Sequence, residues 1–359
     1  MTLSMRLQGR DNNWNLIRTV AALLVLVSHS YALCGETARD PGILLTGYTP
    51  VSWIGLSVFF ICSGFLISKS WNDNPKILTY AGKRTARILP ALAIAVLGAA
   101  IVLGPLVSTL GWGEYFGNPQ TWRYVAGNLT FIKMQYELPG VFDSLPYPRA
   151  VNGSLWTLKT EVLLYILVPT LCIFGRYLGP LAFPGLVAIV SGLILSLFYY
   201  FPYLDPIKTP ARVFQWKDSC NLMCYFGMGA IFYSLRDLIP LRRDLMVVAS
   251  LLFIGSWFGG PTLTLLASFL CLPYISLFAA YTPTRAGRWF SRFGDPSYGI
   301  YVYAFPIQQA IVHCVPGITP EAHLAVSCAT VIPLGYLSWN RIEKPMLHAA
   351  RRYLGDNKS

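Results

Sequence analysis

An arginine and a histidine that share one face of an apolar helix are the first residues of this sequence able to do chemistry. Arg18 and His29 bracket ten uncharged, mostly apolar residues. Eleven steps of about 100° return the pair to one face, roughly 16 Å apart along the axis. Ionisable groups on a greasy segment are costly in lipid, so this face is expected toward protein or a water-filled cavity. An imidazole there is suited to take a proton from a weak nucleophile near neutral pH. Glu36, seven residues past His29, would return to nearly the same face if the helix continued, and would hold one tautomer of the ring. A plainer reading stands beside this one. Arg18 is then a topogenic flank, His29 an interfacial side chain and Glu36 a solvated loop acid.

Three further groups have types and spacings that suggest chemistry. Arg84 and Arg87 lie one helical turn apart beside Lys83, a geometry suited to phosphate groups. Ordinary cytoplasmic-side charge accounts for the same residues. In Asn152-Gly-Ser-Leu-Trp156-Thr-Leu-Lys159-Thr-Glu161 an acid follows a tryptophan into an apolar run. A carboxylate there needs a partner, either as part of a site or as a structural ion pair. Ser63-Gly64-Phe65 places two small residues in mid-helix, which allows close helix packing or room for a ligand.

Helices long enough to cross a membrane must position these groups. Apolar runs predict spans at about Trp14–Leu33, Val51–Ser68, Pro90–Leu110, Leu155–Phe174, Leu181–Phe201, Cys220–Leu235, Leu245–Phe258, Leu263–Ala280, Tyr298–Val315 and His323–Trp339. Residues 75–89 read as a short surface helix, with Pro90 opening the third span. The connection from Gly111 to Ser154 is rich in Gly, Pro and aromatics. Its Trp and Tyr content predicts an ordered cap rather than a loose loop. A second polar loop runs from Pro202 to Asp218. Most of the 28 Lys and Arg fall on one side of this layout, which places both termini in the cytoplasm. The expected fold is therefore all-α: a polytopic transmembrane helical bundle of about ten spans, one domain over residues 1–359, with residues 111–154 extracytoplasmic.

Composition agrees. The chain is 54% hydrophobic and 12% charged, too few polar groups to cover a soluble globule. Its net charge of +12 lies in short clusters between apolar runs, which excludes a nucleic-acid partner and fits a bacterial inner membrane protein. No cleavable signal peptide is evident. The eight cysteines are scattered without paired zinc spacing and read as packing residues, so no metal is expected.

In series, these motifs resemble acyltransferase family 3, the polytopic membrane enzymes that O-acylate bacterial surface and exported glycans. The resemblance rests on Arg18 with His29, Phe59-Phe-Ile-Cys-Ser-Gly-Phe-Leu-Ile67, Arg84-Thr-Ala-Arg-Ile-Leu-Pro90, Gly153-Ser-Leu-Trp-Thr-Leu-Lys-Thr-Glu161, Pro296-Ser-Tyr-Gly-Ile-Tyr301 and Glu343-Lys-Pro345, in the family's order. It implies a ten-helix core that takes acyl groups, most often acetyl, from cytoplasmic acyl-CoA as co-substrate. No permanently bound cofactor is expected. The implied acceptor is a sugar hydroxyl on a glycan or lipid-linked saccharide. His29 would be the essential histidine, Arg18 its partner, Arg84 and Arg87 the donor motif, and Glu161 part of the Trp-containing acidic motif. Ser63 and Trp156, in the matched stretches, are counted with the binding residues. The ninth-span histidine of many members is replaced here by Ala304. The hydrolase-like extracytoplasmic domain that some members add is not expected.

Two readings follow. In the first, the protein is an O-acyltransferase in which His29 is the general base, oriented by Glu36, or a transient acyl carrier. In the second, it is a transporter or flippase for a glycan or lipid-linked precursor, which would show inverted repeats or paired broken helices. The acceptor sugar, the acyl chain and the oligomeric state are not readable from these residues.

Overall fold

Two opposite ends, one gathering basic side chains and the other carrying the long connection, organise the protein. The computed structural model describes residues 2–7, 11–175, 185–187, 189–190, 192–193 and 216–354. The main helices are α1 (Trp14–Leu33), α2 (Val51–Asp73), α3 (Ile77–Leu97), α4 (Pro119–Thr130), α5 (Trp156–Gly175), α6 (Trp216–Ser234), α7 (Arg243–Ser256), α8 (Gly260–Tyr281), α9 (Ser297–Cys314), α10 (Pro320–Ser338) and α11 (Lys344–Tyr353). Among the described residues there are no strands beyond isolated bridges. Five helical stretches among the described residues are long and apolar enough to cross a membrane: Trp14–Leu33, Val51–Asp73, Ile77–Val107, Arg243–Tyr281 and Pro320–Tyr353. Helices α5, α6 and α9 also stand where spans were expected. Most of the expected span 181–201 and most of the loop at 202–218 lie outside the described residues.

Small residues set the packing around α1 and α2. A Cβ added to Gly55 would sit 2.4 Å from the Ala21 carbonyl oxygen of antiparallel α1. Helices α2 and α6 run parallel, with Tyr225 near Trp53 and Ser57 and Tyr233 near Asn72 and Asp73. They cross on two glycines: a Cβ on Gly64 would meet the Phe226 carbonyl oxygen at 2.0 Å, and one on Gly229 would meet the Ile61 carbonyl oxygen at 2.1 Å. Dispersion at such close backbone approach is what holds helices together in lipid, where water supplies no drive.

Helices α1 and α9 lie side by side in the same direction. Asp295, just before α9, meets Arg18, and Gln308 meets Leu26 and Ser30 farther along. Helix α10 returns antiparallel, with Gly299 against Gly335 at one end and the Gln308 carbonyl on His323 at the other.

One expectation is corrected. Residues 75–89 are not a separate surface helix: α3 begins at Ile77 and continues through Pro90. The proline forgoes one backbone bond, to the Ala86 carbonyl, while the Tyr298 hydroxyl, donating to the Ile88 carbonyl at 2.9 Å, ties this part of α3 to α9. The seventh and eighth expected spans are α7 and α8, and the chain reverses between them at Gly260, whose φ of 87° suits glycine. After α10 the chain passes through a wide turn, Trp339–Glu343, into the basic amphipathic α11.

The connection is ordered as expected. It holds α4 and a stretch pinned by Asn128, whose amide donates to the Gln135 carbonyl and whose carbonyl accepts the Gln135 N–H. It closes over the His29 end, where the Gln309 amide donates to the Tyr147 and Ala150 carbonyls at 2.9 and 2.8 Å.

Candidate active site

The Arg18 end is built around a buried carboxylate that the motifs did not single out. Asp295 takes Arg18 Nη1 at 2.8 Å and Arg87 Nη2 at 2.7 Å, and Arg87 Nη1 reaches Glu343 at 3.1 Å. The Ser297 hydroxyl and N–H both donate to the second oxygen of Asp295, and the Ser338 hydroxyl donates to Glu343. Every charge in this knot is therefore partnered, as burial requires. Burial pushes the Asp295 carboxyl up, but Arg18 and Arg87, with Ser297, outweigh it and hold the group below the usual carboxylate range.

Arg84 differs from its neighbour. Its guanidinium lies 5.8 Å from the ring centres of both Tyr80 and Tyr165. Among the described residues it donates only a long 3.4 Å bond, to Ser70, and its Nε is buried without a partner. It faces a cavity of about 350 Å³ that Arg18, Ser63, Lys83, Arg87, Tyr165 and Asp295 help to line. Two guanidiniums one turn apart were thus expected to act alike, and the structure separates them. Arg87 is consumed by internal carboxylates, while Arg84 keeps donors for something else.

Glu161 accepts from the Ser63 hydroxyl at 3.2 Å and from the Tyr165 hydroxyl. Its charge reaches Tyr298 and Tyr301. Toward the other end, Tyr301 donates to the Ser154 carbonyl at 2.9 Å and shares a 2.5 Å hydrogen bond with the Thr157 hydroxyl. The Asn152 amide donates to the Val302 carbonyl at 3.0 Å. These bonds fasten the start of α5 to α9. They also continue the polar groups as a seam from the arginine cavity through Glu161 to Tyr301. Trp156 packs on the bundle core at the start of α5, outside the arginine cavity.

His29 lies near the far end of α1, its ring edge-on to Phe305 at 5.1 Å. Its backbone position is fixed by Asp40, a buried acid missed in the sequence. Asp40 accepts from the Ser28 hydroxyl and from the N–H groups of Gly42 and Val51, and Ser28 Oγ accepts the Ser52 N–H. The side chain within reach of the ring is Gln308. The Gln308 amide nitrogen is anchored at 3.0 Å on both Leu26 O and Ser30 Oγ, while its Oε1 and the His29 Nδ1 are buried without partners among the described residues. A proton on Nδ1 would give each of these atoms what it lacks.

The pairing of Glu36 with His29 is corrected. Helix α1 stops at Leu33, Gly35 adopts a φ of 80°, and Glu36 turns outward to Arg39, which also holds Glu321 at 2.8 Å. Arg18 and His29 share α1 but sit in separate clusters about 16 Å apart, given eleven residues of helix. The missed residues left faint signals: Asp295 directly precedes Pro296-Ser-Tyr-Gly, and Glu343 opens Glu-Lys-Pro, each an acid beside an apolar span.

A larger cavity of about 900 Å³ lies between α2, α6 and α8 and is mainly aromatic and aliphatic, with Trp53, Tyr225, Phe253, Trp257 and Phe269 in its wall. Among the described residues no group of three His, Cys, Asp or Glu is placed to hold a metal ion.

Residues 11–339 match the family described as an acyltransferase domain, Acyl_transf_3. The O-acetyl transferase of Shigella phage Sf6 is 28% identical over 344 residues, a match covering 94% of this chain and 96% of that protein. Nodulation protein 10 of Rhizobium leguminosarum bv. viciae is 25% identical over 368 residues, covering 94% of each. The peptidoglycan O-acetyltransferase OatA of Listeria monocytogenes is 22% identical over 335 residues, covering 82% of this chain and 51% of that protein. No solved structure matches.

Proposed function

The chain belongs to acyltransferase family 3, and from that premise we propose that it moves a short acyl group, acetyl first, from cytoplasmic acyl-CoA to a hydroxyl of a cell-surface, lipid-linked or exported glycan. Membership decides for an O-acyltransferase over a transporter. The proposed setting is the bacterial inner membrane, with ten spans and both termini cytoplasmic. Support for that orientation comes from Lys83, Arg84, Arg236, Arg288 and Arg351, which lie toward the Arg18 end.

One observation carries the reading. A basic cavity and a histidine stand at opposite parts of one helix, and a polar seam runs from the cavity as far as Tyr301. Arg18, in the wall of that cavity, and His29 are about 16 Å apart along α1. The pantetheine arm of CoA has about thirteen bonds between phosphorus and sulfur, an extended reach of roughly 16 Å by ordinary bond geometry. Phosphates held by Arg84 would therefore leave the thioester near His29.

In this scheme the acceptor hydroxyl attacks the thioester carbonyl and its proton passes to the His29 ring. The C–S bond then breaks, and the CoA thiolate takes that proton as it leaves. Gln308 plays the orienting part first expected of Glu36: its carbonyl would accept the Nδ1 proton and favour the charged ring. Positioned proton transfer is worth typically about 10²–10⁴-fold.

The test is acyl transfer to the native glycan, read by mass spectrometry at matched membrane levels. His29→Ala and His29→Gln should both lose it. Wild-type acylation by His29→Ala would remove the histidine from the mechanism.

A further inference from the structure

Helix α11 lies beyond the family match, which ends at residue 339, yet it forms part of the arginine cavity. It packs on α3, where Leu354 sits against Gly82 so closely that a Cβ there would lie 2.5 Å from its δ-carbon. From this docked position Leu347 and Arg351 line the cavity beside Lys83 and Arg84.

The cations of the cavity are not equivalent. Arg18 and Arg87 are neutralised by Asp295 and Glu343. Arg84 has its buried, unpartnered Nε. Arg351 is an exposed side chain on the rim. The protein therefore offers anion-binding charge in two steps, Arg84 within and Arg351 outside. We infer that α11 is a wall of the donor site and that Arg351, with Lys83, binds the terminal 3′-phosphate of acyl-CoA, while Arg84 binds its diphosphate. The inference rests on the acyl-CoA reading. Its logic is the order of groups along the donor: with the thioester directed toward His29, the diphosphate comes next and the ribose 3′-phosphate lies outermost. Arginine suits such a terminal phosphate because its fork donates two parallel bonds.

The experiment compares acetyl-CoA with 3′-dephospho-acetyl-CoA on the purified full-length protein. Arg351→Ala should raise KM for acetyl-CoA by roughly 10- to 100-fold at little cost in kcat. Wild-type protein given the dephospho donor should show the same raised KM, and Arg351→Ala should then add nothing further. Arg351→Lys should fall between the two. Unchanged KM for acetyl-CoA in Arg351→Ala, or an equal loss with both donors, overturns the assignment. If the wild type releases no CoA from acetyl-CoA, the donor reading itself fails, an outcome distinct from a wild type that turns over normally but is indifferent to Arg351.

Discussion

Replacing Asp295 by Asn should damage the protein more than any other conservative change at the Arg18 end. The substitution keeps size and removes the charge that Arg18 and Arg87 share. The carboxylate is 8% exposed, and its partners are 23% and 13% exposed, so solvent screening is weak. Two charge-assisted hydrogen bonds, at 2.8 and 2.7 Å, are each worth about 1.5–3 kcal/mol. Breaking a buried pair from one side typically costs about 3–5 kcal/mol, because the remaining charge is left uncompensated. A loss of that size should lower the Tm of the detergent-solubilised protein by roughly 5–15 °C. Acidity supplies a second readout. The folded carboxyl lies below its ordinary range, so its stabilisation is complete above that range and is lost as pH falls through the depressed folded value. The Tm gap between wild type and Asp295→Asn should be full at neutral pH and should close below about pH 4. A variant with wild-type Tm at pH 7, or a gap independent of pH, would refute the argument that Asp295 holds the two arginines together.

Arg84→Ala should raise KM for acetyl-CoA with Tm nearly unchanged, whereas Arg87→Ala should mainly lower Tm, since it strands Asp295 and Glu343; identical behaviour in both assays would contradict their separation. Gln308→Leu should reduce kcat by at least about tenfold and shift the pH profile of kcat, while Glu36→Gln should keep most activity; the reverse ranking would restore Glu36 as the orienting group. Gly64→Ala should destabilise the α2–α6 crossing by about 1–3 kcal/mol, measured as reduced Tm, and wild-type stability would mean that the two backbones have room to part.

Legibility followed sequence distance. The residues that share a helix or a short motif were readable: Arg18 with His29, Arg84 with Arg87, Ser63 beside Gly64, and Glu161 after its tryptophan. Their partners were not, because Asp295 is 277 residues from Arg18 and 208 from Arg87, and no period in a chain reports such a distance. Glu36 misled for a local reason. The spacing argument assumed a helix through residue 36, but Gly35 turns left-handed and sends the next side chain outward. Pro90 misled in the opposite sense, since tertiary contacts carried a helix through a residue that usually begins one. The connection over the His29 end was legible as ordered because its aromatic content is that of a packed element.

The use of one helix for both clusters makes α1 a gauge of fixed length. Inserting a single residue between Arg18 and His29 would turn the histidine about 100° from the face that meets α9 and carry it about 1.5 Å farther away. Inserting seven would restore the face but add roughly 10 Å, more than the proposed donor, if anchored at Arg84, would have in reserve. Substitutions among the intervening apolar residues face a milder constraint, because volume-conserving exchanges are tolerated. The number of residues in this stretch is thus held more tightly than their identity, and single-residue insertions should abolish transfer even where the bundle still assembles.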